Sequence, residues 1–355
     1  MPLRILISAA QVPFVRGGAE LLVEGLRDAL RERGHTVDVV ALPYQWQPVE
    51  RIAESALAWR LLDLEQVNGA PIDLVIGTKF PSYMLRHPRK LVWLVHQHRQ
   101  AYDWYGTPLS DFANTAEHRA ARDAIFRMDR RALGECAARF TISRNVSARL
   151  RRFNGLDSTP LYPPSRYAGQ LHAGPYGDYI LSSSRLDRAK RLELLLEAAA
   201  QMERPAPLLI AGAGPDRERL EALAAQLRLG ARVRFLGFVP DDELVALYAG
   251  ARAVYYAPVD EDYGFATVEA FGAARPVVTT DDAGGVLEFV EHGVNGLICP
   301  PAPAAIARAL DALAADADLA ARLGRAGQPA VAGITWERVV EALVGATHRV
   351  PPAHR

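Results

Sequence analysis

The sequence predicts an α/β protein of two doubly wound parallel-sheet domains in tandem, and three observations carry that reading. Short apolar runs of strand length alternate with longer segments of helical period, first from Leu3 to Ser143 and again from Tyr179 onward. A stretch dense in Pro and Gly, with little periodicity, separates the two series near 164–178. The length, 355 residues, leaves room for about two domains.

In the first series the strands are Leu3–Ala10, Thr36–Leu42, Leu74–Gly77, Leu91–His96 and Phe140–Ser143, with a helix at Glu20–Arg33. In the second, strands at Tyr179–Ser183, Pro207–Gly212, Val233–Gly237, Ala253–Ala257 and Pro276–Thr280 alternate with helices. Those helices cover Leu192–Gln201, Arg217–Leu227, Asp241–Ala249, Thr267–Ala274 and Ala304–Leu313. A last helix opens at Thr335, an N-cap residue after Gly333, and the Pro-rich tail from Val350 is expected to fray. The cleft between two such domains is the expected ligand site.

Half the residues are apolar and 23% are charged, but no apolar run approaches the roughly 18 residues of a membrane helix. Leu3–Ala10 is too short for a leader and has no cleavage pattern, so a cytoplasmic protein is expected. Cys136 and Cys299 are too few for a zinc cage or a disulfide framework and read as buried thiols. The net charge of zero hides a split. Residues 1–170 hold 23 Lys and Arg against 17 Asp and Glu, and the remainder holds 18 against 24. The basic half suits peripheral contact with anionic lipid at an inner membrane face, or an anionic acceptor, while ordinary solvated faces explain it equally; no nucleic-acid partner is expected. Lys occurs only at 79, 90 and 190, which singles out each of them in a chain that otherwise uses Arg.

The strongest signal is Glu261-Asp-Tyr-Gly-Phe-Ala-Thr-Val-Glu269, two carboxylates spanning a loop that turns into a helix directly after a strand. Gly264 permits close approach, and the amides of Phe265, Ala266, Thr267 and Val268 at the helix start can receive a phosphate. Glu269 suits ribose hydroxyls, and Glu261, before the turn, faces a sugar. Acids placed for the helix dipole would explain Asp262 and Glu269 without any ligand. Strand Tyr179–Ser183 runs into Ser184-Arg185-Leu-Asp-Arg-Ala-Lys190-Arg191, putting Arg185 and Lys190 where they can neutralise a departing diphosphate; Arg188 and Arg191 read as solvated.

In the first half, Gly17 and Gly18 open a helix after the first strand and can cradle a phosphate or sugar. Strand Leu91–Val95 delivers His96, His98, Arg99, Tyr102, Asp103, Trp104 and Tyr105, a mixture of aromatic and polar groups suited to carbohydrate. Asp281 and Asp282 tempt a metal reading, but no third ligand is in view. Gly212-Ala-Gly214-Pro215 lacks the third glycine of a dinucleotide fingerprint and reads as a strand end, which disfavours a nicotinamide enzyme.

Taken together these residues resemble glycosyltransferase family 4. The likeness runs through Arg16-Gly-Gly-Ala-Glu20, His96…Arg99-Gln-Ala-Tyr-Asp103, Ser143-Arg144, Tyr162-Pro-Pro164, Ser184-Arg-Leu186…Lys190, Gly212-Ala-Gly-Pro215, Leu236-Gly-Phe-Val-Pro-Asp-Asp242, the two-glutamate motif and Gly293-Val-Asn-Gly296. The resemblance implies the GT-B fold: an N-terminal acceptor-side Rossmann-like domain over 1–168, a nucleotide-sugar domain over 175–333, and a helix at 334–348 crossing back to the first. It implies a retaining transferase without metal or cofactor. Arg185 and Lys190 would hold the donor diphosphate, Glu269 the ribose, Glu261 the donor sugar, the backbone at Val239 the base, and His96 with Gly17 and Gly18 the transferred sugar. Arg99, Tyr102 and Asp103 would fall on the acceptor side, toward a saccharide, lipid-linked or small-molecule acceptor. The His96 segment is similar to a bacterial polysaccharide subgroup pattern, His-x-Pro-x-Arg, but is one residue shorter and has no Pro. That subgroup leans toward mannosyl transfer, hence GDP-mannose before a UDP-sugar. An epimerase or phosphorylase on the same fold, or a non-catalytic sugar-nucleotide-binding partner, are the competing readings.

Overall fold

The structure is a computed structural model and describes residues 2–14 and 17–349, so Arg16 and the tail from Val350 lie outside the described residues. The chain divides into two compact units, the first reaching Arg166 and resuming at Thr335, the second covering Tyr167–Ile334.

The first unit runs β1 (Arg4–Gln11), α1 (Gly18–Glu32), β2 (Thr36–Pro43), α2 (Glu50–Leu61), a small hairpin of β3 (Gln66–Val67) and β4 (Ala70–Pro71), then β5 (Leu74–Gly77) and β6 (Lys90–Leu94). It continues through α3 (Ala116–Gly134), β7 (Ala138–Thr141), α4 (Arg144–Asn154) and β8 (Thr159–Pro160). Six parallel strands take the order β2-β1-β5-β6-β7-β8. The central strands β5 and β6 are buried at every residue, as expected of parallel strands covered on both faces. The hairpin turns on Asn68 and Gly69, both at positive φ, the pairing that a two-residue turn requires.

The second unit runs β9 (Ile180–Ser183), α5 (Leu192–Gln201), β10 (Leu208–Ala211), α6 (Arg217–Gln226), β11 (Val233–Gly237), α7 (Asp241–Gly250), β12 (Ala253–Tyr255), α8 (Phe265–Gly272), β13 (Val277–Thr280), β14 (Gly296–Cys299), α9 (Pro303–Ala315) and α10 (Ala317–Val331). Its sheet has the order β11-β10-β9-β12-β13-β14, again all parallel. The apolar faces of α5 and α9 supply Leu192, Leu195, Leu196, Ile306, Leu310 and Leu313 to one core, each burial contributing about 1.5–3 kcal/mol before the cost of ordering the chain.

Helix α11 (Trp336–Gly345) belongs to the first unit. The Thr335 hydroxyl caps it, accepting from Arg338 N–H at 3.4 Å. Trp336 meets Trp93 of β6 edge-on with centroids 6.2 Å apart and lies over Gly25 of α1. Arg33 donates to Glu337 at 2.6 Å at the rim of that contact. No helix among the described residues is long and apolar enough to cross a membrane.

Strand order fixes where ligands can go. In each sheet the order reverses once, between β1 and β5 in the first and between β9 and β12 in the second. The loops leaving the carboxyl ends of those strands part company there and open a crevice.

Candidate active site

In the second unit the loop after β9 carries Arg185 and Lys190, and the loop after β12 carries Glu261. Lys190 makes a close ion pair with the Glu261 carboxylate. Tyr256, one residue past β12, donates its hydroxyl to the same Oε2 at 2.7 Å and accepts from Lys190 Nζ at 3.3 Å. The side chains are 19% and 15% exposed, so the pair is shielded yet within reach of solvent. Burial pushes the Glu261 carboxyl up, but the Lys190 charge and the hydrogen bonds from Lys190 and Tyr256 outweigh it and leave the group below its ordinary range. Glu261 is therefore an anion at neutral pH.

Arg185 is half exposed, with Nε 3.8 Å from Asp187 Oδ2. Burial raises the Asp187 carboxyl despite Lys190 and Arg185 nearby, and its buried Oδ1 has no hydrogen-bond partner. The Lys190 amide donates to the Asp187 carbonyl at 3.0 Å, closing the turn that aims both cations from one loop.

Arg191 departs from the sequence expectation of a solvated cation. It stands at φ +49 and sends Nε to the Ala257 carbonyl at 2.9 Å. Nη2 reaches the Pro258 carbonyl at 2.8 Å and Thr280 Oγ1 at 2.7 Å, while both carboxylate oxygens of Asp282 are held at 2.7 Å. The guanidinium thus bolts together the loops that follow β9, β12 and β13. Backbone bonds extend the tie: Glu261 N–H donates to the Ala283 carbonyl at 3.1 Å, and Gly285 N–H to the Glu261 carbonyl at 2.7 Å. Asp282 serves this strut, which accounts for one of the two aspartates that suggest a metal in the sequence.

Helix α8 starts immediately after that loop. Its N-cap Gly264 has φ +93, and a Cβ there would stand 2.9 Å from Val286 Cγ2, so both conformation and space demand glycine. No side chain caps the helix, leaving the positive end of its dipole for an anion. Of the amides expected to receive a phosphate, that of Thr267 already donates to the Gly264 carbonyl at 3.0 Å; Phe265 and Ala266 start the helix beside it. Thr267 Oγ1 is buried without a partner. One turn on, Glu269 is buried and accepts from the Tyr248 hydroxyl at 2.9 Å. Gly212 has φ +126 and lies so close to the Ser184 carbonyl that any Cβ would stand 1.9 Å from that oxygen; it lets the loop after β10 pack under the one bearing Arg185. Val239 is buried, whereas its neighbour Phe238 is 81% exposed after β11.

In the first unit, Gly17 N–H donates to Glu20 Oε2 at 2.9 Å, and Glu20 Oε1 pairs with Lys79 at 2.5 Å. Gly17, Gly18 and Lys79 therefore meet where β1 and β5 diverge. His96, just beyond β6, is partly buried with Nδ1 2.7 Å from the Gln97 carbonyl. A carbonyl only accepts, so Nδ1 carries the proton and, in the neutral ring, Nε2 is an acceptor. Arg99, Tyr102 and Asp103 are placed differently from a sugar-contacting surface. Arg99 is buried, bonds Asp103 through Nε at 2.8 Å and lies 4.3 Å over the Trp104 ring. Tyr102 is 2% exposed and donates to Asp129 at 2.7 Å. His98 is buried too, its pKa pushed down to about 3 by burial, and it meets the Tyr44 hydroxyl at 2.9 Å.

The sequence reading missed Tyr256, Tyr248 and Arg191. The tandem Tyr255-Tyr256 at a strand end, beside the glutamate motif, is the signal that would have found the first.

Comparison with known proteins bears on the fold and on the second unit. Residues 173–329 match the family model described as glycosyl transferases group 1. The alpha-1,3/1,6-mannosyltransferase ALG2 of Homo sapiens is 30% identical over 168 residues, covering 43% of this chain and 40% of that protein. The chain spans about two fifths of the length of the curated relatives it matches, 36% and 40% in two cases. Among solved structures, a sucrose-phosphate synthase from Thermosynechococcus elongatus superposes with a TM-score of 0.74 at 22% identity, covering 98% of each chain. HepE from Anabaena, solved with UDP-glucose, gives 0.70 at 19% identity over 98% of this chain and 99% of that one. The fold is thus α/β of the GT-B type, two tandem Rossmann-like domains, and the second unit is the part that matches the glycosyl transferases group 1 model.

Proposed function

We propose that the chain is a retaining, metal-independent hexosyltransferase that takes a sugar from a nucleotide-diphosphate donor, GDP-mannose before a UDP-sugar. The acceptor class is a saccharide, a lipid-linked sugar or a small molecule, and the setting is cytoplasmic, with the basic first unit suited to a membrane face. The observation that carries this reading is the convergence of Arg185, Lys190, Glu261 and the uncapped start of α8 on the switch point of one parallel sheet.

In this reading the donor diphosphate lies against Arg185, Lys190 and the α8 amides at Phe265 and Ala266, with Glu269 on the ribose and the backbone at Val239 beside the base. Charge grows on the leaving phosphate as the glycosidic bond breaks, and fixed cations stabilise that charge more than the bound substrate. Glu261 orients the donor sugar through its hydroxyls and holds Lys190 in place. His96, with Gly17 and Gly18, serves the transferred sugar from the first unit, its Nε2 accepting from a hydroxyl. The acceptor hydroxyl attacks from the face the phosphate leaves, and a phosphate oxygen takes its proton, so configuration is kept.

The name of the mannosyltransferase relative supports the mannosyl lean, and the UDP-glucose in HepE supports a nucleotide-sugar donor. A thermal-shift panel of GDP, UDP, ADP and their sugars tests the donor assignment, because a ligand bound only by the native state raises its melting temperature. GDP and GDP-mannose are expected to raise it most, without added divalent metal; no shift with any nucleotide would overturn the proposal.

A further inference from the structure

We propose that a buried hydrogen-bonded chain, Asp129–Tyr102–Asn154–Gln97, positions His96 and fixes the tautomer it presents. The inference rests on the role given to His96 above and extends it to residues that touch no ligand.

The chain is continuous in the structure. Asp129, on α3, is fully buried and receives the Tyr102 hydroxyl at 2.7 Å and the Tyr83 hydroxyl at 2.9 Å. Tyr102 in turn accepts from Asn154 Nδ2 at 3.1 Å, at the last residue of α4. Asn154 Oδ1 accepts from Gln97 Nε2 at 2.6 Å, and Gln97 is itself fully buried. The amide of Gln97 is thereby clamped from inside the unit, and its backbone carbonyl is the atom facing His96 Nδ1 at 2.7 Å. Each link leaves little freedom in the next. Asn154 uses its amide oxygen for Gln97 and its NH2 for Tyr102, so its orientation is set by both ends. With the Gln97 carbonyl fixed, the His96 proton stays on Nδ1, and the ring cannot turn without breaking that bond.

A buried polar chain anchored on a carboxylate in the core is costly to keep unless its geometry serves something. Here it ends beneath the one imidazole that stands just past β6 with part of its surface open. His98, two residues on, is turned inward by contrast, its Nδ1 engaged by Tyr44.

The test uses the full chain, labelled with 15N, and reads the histidine rings by long-range proton–nitrogen correlation, His96 being assigned from the spectrum of His96→Gln. The wild type is expected to show His96 protonated at Nδ1. Gln97→Leu should move both ring nitrogens of His96 toward an averaged tautomer mixture while leaving the other histidines in place. Tyr102→Phe, which deletes only a hydroxyl, should move them in the same direction by less, and keeps the test open should Gln97→Leu fold poorly. In steady-state transfer the Gln97→Leu kcat should fall by on the order of ten- to a hundredfold, with donor KM nearly unchanged, since a small misplacement of a reacting group costs that much. His96 resonances that stay put in both variants would overturn the proposal. Moved resonances together with full activity of His96→Gln would support the positioning and overturn the catalytic use of His96 instead.

Discussion

Under the proposed function, Lys190 is the residue on which the chemistry turns. Its ammonium is held by Glu261 and Tyr256 at the end of a short loop, so its charge is in place before any ligand arrives. Lys190→Ala should leave the fold intact, as judged by circular dichroism, and lower kcat by about a hundredfold or more, the usual cost of deleting one preorganised charge. Near-normal turnover would exclude the role assigned to it. Glu261→Ala has a different expected signature. It removes the partner of Lys190 and, under the proposed function, a sugar contact, so kcat/KM for the donor sugar should fall more than the affinity for the bare nucleotide, measured by calorimetry. Equal losses in both would place Glu261 elsewhere. Lys190 stands out in the sequence because only three lysines occur in the chain. The strut role of Arg191 was not legible there, because all four residues its guanidinium reaches lie more than sixty positions away and carbonyls have no sequence signature.

Among the elements, α8 shows how much of a site the backbone alone supplies. Gly264→Ala forces a left-handed conformation on a residue with a side chain, at about 1–2 kcal/mol, before the clash with Val286 is counted. The variant should melt earlier in calorimetry and show no thermal shift with nucleoside diphosphates; unchanged melting and binding would show that the turn relaxes freely. The strands around this helix were legible because parallel strands buried on both faces are uninterrupted apolar runs, as in Ala253–Tyr255. Helices α3 and α4 were not anticipated. Arginine makes up five of the nineteen residues of α3 and four of the eleven of α4, and the buried stripe of α3 reduces to Ile125, Asp129, Ala132 and Leu133. A carboxylate in the middle of that stripe hides its periodicity. Strand β14 escaped notice for a simpler reason, since Gly296–Cys299 is only four residues long and follows a glycine-rich turn.

At the level of the whole molecule, the buried carboxyl of Asp129 ties stability to pH. Burial raises its pKa to about 7, against hydrogen bonds from Tyr102 and Tyr83 that pull it down; Tyr44 and Arg122 also act on this cluster. The unfolded chain releases that proton near the ordinary value of 3.8. Between those values the native state holds a proton that the unfolded state has lost, so stability falls as pH rises from about 4 to 7. The full cost above that range is on the order of a few kcal/mol. Asp129→Asn mimics the neutral acid and should flatten the decline in melting temperature between pH 5 and 8, gaining most at pH 8. A parallel decline in both proteins would assign the pH dependence to other groups. Glu261 acts in the opposite sense, because its depressed pKa contributes stability that is lost as pH falls through the acid range. Two tandem doubly wound sheets were evident from alternation alone, whereas the return of the last helix to the first unit depends on Trp336 finding Trp93 and Gly25, a long-range match that no local pattern encodes.

The pairing of Lys190 with Glu261 has a consequence for selectivity under the proposed function. A cation already paired with an internal counter-ion is not a positive well that draws in any phosphate. An incoming anion must outcompete a carboxylate for the ammonium, and a nucleoside diphosphate, with two phosphate groups to share between Lys190, Arg185 and the start of α8, is better equipped for that exchange than a monophosphate or free inorganic phosphate. Under the proposed function, discrimination by charge number follows from that pairing.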